Sequence, residues 1–66
     1  MKTVHCQLTG QDGNAFAIMG RVTRALRDAG KVDAIAAYRQ EATKGDYDNV
    51  LRVSMQVLED NGIEYS

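Results

Sequence analysis

The chain has one cysteine, one histidine, no proline, no tryptophan, and no marked excess of either charge. A lone cysteine excludes an intramolecular disulfide, and the place of Cys6 in an alternating apolar stretch predicts a buried thiol in a reducing compartment, hence a cytoplasmic location. One histidine and one cysteine are too few ligands for a tetrahedral zinc site within one chain. His5 and Cys6 are also neighbours on a predicted strand, so their side chains point to opposite faces and cannot form a thiolate–imidazole pair. A formal net charge of −1 and a pI near 5.6 lack the Lys and Arg excess with which a general nucleic-acid binder neutralises phosphates. No apolar run approaches the roughly 20 residues of a membrane-spanning helix, and the start MKTVHCQLTG lacks the apolar centre of a signal peptide. The expectation is a protein off the membrane and unprocessed.

What remains is an ordinary globular composition, 44% hydrophobic and 26% charged, well away from chains that stay disordered for want of apolar surface to bury. Sixty-six residues make one domain. A core of that size supplies a net stability of only about 3–5 kcal/mol, which leaves no slack for a deep pocket.

The pattern along the chain predicts an α+β fold. In residues 2–8, Val4, Cys6 and Leu8 alternate with Thr3, His5 and Gln7, the period of a strand with one face buried. After the turn TGQDG the spacing changes to threes and fours through Phe16, Met19, Val22, Leu26 and Ala29, with Ile18 and Ala25 beside them, which predicts a helix over about 14–29. Gly30 follows as a left-handed stop, and Arg27 faces the negative end of the helix dipole. Ile35, Tyr38 and Ala42 mark a second helix over 33–43, with Asp33 at its favourable N-terminal end and Gly45 beyond it. Asp46 reads as the N-cap of a third helix, 47–61, along which Tyr47, Val50, Leu51, Ser54, Val57 and Leu58 trace a stripe and Gly62 ends it. Ile63 and Tyr65 alternate around Glu64, a short C-terminal strand that can pair with the first. The expected core is Val4, Cys6, Leu8, Phe16, Met19, Val22, Leu26, Ile35, Tyr38, Val50, Leu51 and Leu58. A strand or strand pair leaves unpaired backbone groups at its edge, so self-association as a homodimer through that edge is one expectation.

Three features are candidates for chemistry. The stretch TGQDGNAFAIMG places Gly13, Asn14 and Ala15 at the start of the first helix, where backbone amides and the dipole favour a phosphate or carboxylate. Its glycine spacing fits neither the P-loop nor the dinucleotide fingerprint, Asp12 would repel an anion, and the plainer account is a turn with Asp12 or Asn14 as cap and Gly20 admitting a close neighbour. Arg21, Arg24 and Arg27, with Lys31 just beyond, form a basic cluster for phosphates or an acidic partner, or else a solvated face helped by Asp28 four residues after Arg24. Asp46 and Asp48, with Glu59, Asp60 and Glu64 near the end, form the acidic counterpart, which can imitate nucleic-acid phosphates or simply cap helix ends. A helix-turn-helix reading of the second and third helices founders on a recognition helix that begins Asp46, Tyr47, Asp48 and offers only Arg52 as a cation.

The fragments GQDGNAFAIMGRVTRALRDAG and EATKGDYDNVLR resemble a group of small bacterial and phage-borne proteins of similar length, through the Gly-Asn-Ala-Phe and Gly-Asp-Tyr-Asp leads into two helices. The resemblance covers most of the chain up to Leu58. It implies a stand-alone domain and carries over no activity, cofactor, metal or catalytic residue.

These readings converge on a non-enzymatic binding or regulatory module that meets a protein partner through the strand edge or the Arg21, Arg24 and Arg27 face. The alternatives are a nucleic-acid accessory protein using the same arginines, an anion or small-phosphate binder at residues 12–15, and an inhibitor acting by acidic mimicry.

Overall fold

The computed structural model describes residues 4–8 and 14–66. Elements follow in the order β1 (His5–Cys6), α1 (Ala15–Asp28), α2 (Asp33–Ala42), α3 (Tyr47–Asp60) and β2 (Glu64–Tyr65). This is the α+β layout expected, with each helix within a residue or two of its predicted span. The two strands pair in parallel, His5 opposite Glu64 and Cys6 opposite Tyr65. Two further bonds prolong the ladder, Ser66 N–H to the Cys6 carbonyl at 3.1 Å and Leu8 N–H to the Ser66 carbonyl at 2.7 Å. Of the strand expected over 2–8, residues 2 and 3 lie outside the described residues.

Local chemistry sets the helix ends. Asn14 caps α1, its side-chain oxygen accepting from Ala17 N–H at 2.8 Å, and Asp46 caps α3 by accepting from Asn49 N–H at 3.1 Å. Gly30 and Gly62 take left-handed conformations at φ 75° and 69°. At Gly62 the amides of Gly62 and Ile63 bond back to Glu59 and Leu58 carbonyls, and the apolar Ile63 then packs beside Leu58 in the core. That turn delivers the chain into β2 beside β1. Gly45 differs, since its φ is not positive. A Cβ there would meet Asn49 Cβ at 2.9 Å, so this glycine answers close packing between the α2–α3 turn and the first turn of α3. Asn49 in turn donates to the Glu41 carbonyl at 2.9 Å, covering an orphan acceptor at the end of α2.

The three helices pack on one another in every pair, while α1 lies against β1 and α3 against β2. Cys6, Leu8, Met19, Val22, Leu26, Tyr38, Val50 and Leu58 are buried as expected, with Val4, Ile35 and Leu51 partly buried around them. Ile18, Ala25, Ala42 and Ile63 complete the cluster. Ser54 is the buried polar side chain among the described residues, and its hydroxyl pairs with the Tyr38 phenol at 2.7 Å.

One expected core residue is misplaced. Phe16 is 83% exposed. Helical positions advance about 100° per residue, so each step of three turns about 60° back round the axis, and the run Phe16, Met19, Val22 walks off the buried stripe at its Phe16 end. The stripe that packs is Ile18, Val22, Ala25 and Ala29 with Met19 and Leu26 beside it. Tyr47, at the start of the α3 stripe, is likewise 44% exposed.

Candidate functional site

The same helical arithmetic sorts the basic residues. Arg21 and Arg27 lie two steps of three apart and therefore about 120° apart round α1, so the cluster divides. Arg21 turns toward β1, where its Nε donates to the Gln7 carbonyl at 2.7 Å and an amino group to the Leu8 carbonyl at 3.4 Å. Arg27 lies on the other side, with Phe16, Gly20 and Thr23 on the outward face of α1, and Arg24, about 60° from each of the other two, borders both that face and the hollow beside β1 that Arg21 also lines.

On the outward face Arg24 and Arg27 meet Arg39 from α2, and the three arginines with Phe16, Met19 and Thr23 line a surface recess of about 530 Å³. Among the described residues the ion pair is Lys44 with Glu41; Arg24 and Asp28 form none, although both line the hollow beside β1. Three guanidinium groups thus converge from two helices with no carboxylate on the lining. A second, smaller hollow of about 250 Å³ adjoins it and shares Phe16 and Met19. Its remaining walls are mostly apolar, Ala15, Ala42, Tyr47 and Val50, and its one carboxylate, Asp46, is already accepting from Asn49 N–H. Sequence reasoning missed Arg39, because no spacing within α2 links it to α1. It also missed that Phe16 stands at the junction of both hollows.

Gly20 lies in this recess, in the interior of α1. The sequence suggested that it admits a neighbouring element of the fold. Nothing among the described residues comes within 4 Å of where its Cβ would be, so that expectation is corrected. A glycine in a helix interior costs about 0.5–1 kcal/mol relative to alanine, and nothing in the described fold requires it.

The other candidates resolve differently. Gly13, with residues 9–12, lies outside the described residues. Asn14 acts as the α1 cap, the plainer of its two readings. The acidic residues do not form one patch: Asp46 and Asp48 stand at the start of α3 and Glu59 and Asp60 at its end, about 20 Å away at 1.5 Å per residue. Glu59 accepts from the Tyr65 hydroxyl and Asp60 from Gln56. His5 is exposed and bonded to the Ser66 hydroxyl at 2.9 Å, while Cys6 is buried on the opposite face. Burial pushes the Cys6 thiol up from its ordinary value of 9.0, against an opposing pull from Arg21, so the thiolate is disfavoured. Among the described residues no group of three or more His, Cys, Asp or Glu is placed to hold a metal ion, and no helix is long and apolar enough to cross a membrane.

No protein-family model, curated protein or solved structure matches the chain.

Proposed function

We propose that the protein is a small non-enzymatic binding module that engages a protein partner through the outward face of α1. The observation that carries this reading is Phe16, the chain's one phenylalanine, held 83% exposed beside arginines without ion-pair partners among the described residues. Phenylalanine and arginine are both enriched in the cores of protein–protein interfaces. The nucleic-acid reading is weakened, because Arg21 is committed to the Gln7 and Leu8 carbonyls and the chain has no net positive charge.

The test is affinity capture from nuclease-treated lysate of the native host with the tagged chain, compared with Phe16→Ser and Arg24→Glu/Arg27→Glu variants whose circular dichroism matches the parent. The expected result is a protein retained by the parent and lost by both variants. Capture indifferent to both variants, capture abolished by nuclease, or no capture refutes the reading.

A further inference from the structure

Gly20 and the charge of the recess together indicate what kind of partner fits. We infer that the recess and its apolar neighbour bind an acidic amphipathic segment of a partner protein whose backbone passes directly over Gly20. This rests on the protein-partner reading above and deepens it.

A residue without Cβ in mid-helix opens a strip of bare backbone, and with nothing of the described fold lying over it, the close approach it allows is available to another chain. Arg24 and Arg27 flank that strip from α1 and Arg39 faces it from α2. Carboxylates on the incoming segment complete these three cations, and a planar guanidinium meets a carboxylate with paired hydrogen bonds. Next to them the hollow walled by Ala15, Phe16, Met19, Ala42, Tyr47 and Val50 takes an apolar side chain, because its polar members Thr43 and Asp46 are already engaged.

The same layout disfavours a nucleic-acid strand. Such a strand repeats its negative charge at every nucleotide, and on leaving the recess it would meet Asp28, which shares a hollow with Arg24, or Asp46 of the adjoining hollow, both exposed. A peptide segment can confine its carboxylates to the recess and place an aliphatic residue next to them, which a nucleotide cannot.

The experiment is selection of a random dodecapeptide display library on the immobilised full chain, followed by affinity measurement of the enriched peptides on the parent and on Gly20→Ala. Enriched peptides are expected to pair an apolar residue with two or more Asp or Glu. Gly20→Ala is expected to weaken them by about tenfold or more while raising the thermal midpoint by about 2–8 °C, since alanine favours the helix. Those opposite signs separate lost docking from misfolding. Arg39→Glu supplies an independent check and is expected to weaken the same peptides. Enrichment of basic or uncharged peptides, no enrichment, unchanged affinity in Gly20→Ala, or displacement of the peptides by an equal concentration of oligothymidylate overturns the inference. If lysate capture succeeds while the selection fails, the acidic-segment inference falls and the partner surface stands; failure of capture removes both.

Discussion

Removing the Ser54 hydroxyl tests whether the polar pair inside the core contributes stability in proportion to its burial. Ser54 is 0% exposed and Tyr38 2%, their oxygens are 2.7 Å apart, and among the described residues no buried side-chain polar atom lacks a partner. Ser54→Ala leaves the phenol buried with nothing to bond, at a cost of about 1–3 kcal/mol. That is a large share of the roughly 3–5 kcal/mol a core of this size supplies, and it corresponds to a drop in thermal midpoint of about 4–24 °C. Tyr38→Phe should cost less, because the stranded Ser54 hydroxyl can turn to the carbonyl four residues earlier on α3. The double variant removes both polar atoms and should be more stable than Ser54→Ala alone, giving a favourable coupling energy. Urea unfolding followed by far-ultraviolet circular dichroism supplies all four free energies. A Ser54→Ala loss under about 0.5 kcal/mol, or a double variant whose loss equals the sum of the singles, would refute the reasoning.

Alkaline pH should weaken the fold through two buried groups, Cys6 and Tyr38. Burial is the leading cause that raises the Cys6 thiol above 9.0 and the Tyr38 phenol above 10.0. Above those values the unfolded chain releases protons that the native state still holds, so this stability is fully present below about pH 9 and falls as pH rises through the native pKa values. Urea midpoints from pH 7 to 11 should be level and then decline, with a shallower decline above pH 10 in Tyr38→Phe; equal slopes in parent and variant would contradict it. Gly45→Ala should destabilise by about 1–3 kcal/mol, because its Cβ would press on the stem of Asn49, at 2.9 and 3.1 Å from Cβ and Cγ, and loosen the bond to the Glu41 carbonyl; unchanged urea stability would be the wrong result. Asn14→Ala should cost about 1 kcal/mol through loss of the α1 cap, equally in phosphate and chloride buffers, whereas a stabilisation of the parent specific to phosphate would restore the anion reading of Gly13, Asn14 and Ala15.

Features decided by a few adjacent residues were legible in the sequence. The caps at Asn14, one of two residues the sequence offered, and at Asp46, and the left-handed stops at Gly30 and Gly62, each depend on chemistry within one helical turn, and each stands at a position the sequence proposed. Facing was harder to read. The threes in Phe16, Met19, Val22 and in Arg21, Arg24, Arg27 look like one face on paper, yet each step turns about 60° round the axis. Phe16 therefore leaves the core, and Arg21 parts from Arg27, with Arg24 between them bordering both sides. The recess was illegible for a further reason, since Arg39 reaches it only through the packing of α2 on α1. A signal was nevertheless present: a glycine in mid-helix that costs helical stability, four residues beyond an aromatic. The pairing of β1 with β2 was foreseen, but its parallel direction depends on how three helices return the chain, which no strand residue encodes.

The division of the arginines also bears on which route to a partner is easier to open. Along β1 and the two residues that follow it, the Cys6 carbonyl and the Leu8 amide bond to Ser66 beyond β2, so by strand alternation the groups of Gln7 face the other edge. The carbonyl there already accepts from Arg21 at 2.7 Å. A second copy adding a strand at that edge would first have to displace a charge-assisted bond and find another partner for the guanidinium, a cost of about 1.5–3 kcal/mol before any new ladder forms. On the recess side no such bond stands in the way, because among the described residues Arg24, Arg27 and Arg39 form no ion pair and nothing covers Gly20. Capping of an otherwise open strand edge is also a recognised means of preventing unwanted pairing. On this reasoning Arg21 would guard the β1 edge of the sheet, while Arg27 and Arg39 face the recess. Arg21→Ala should then increase self-association, read as a rise in sedimentation-equilibrium mass, without weakening any ligand of the recess. If the variant instead stays at the mass of the parent and loses recess binding, the three arginines act as one surface and the division argued from helix geometry is wrong.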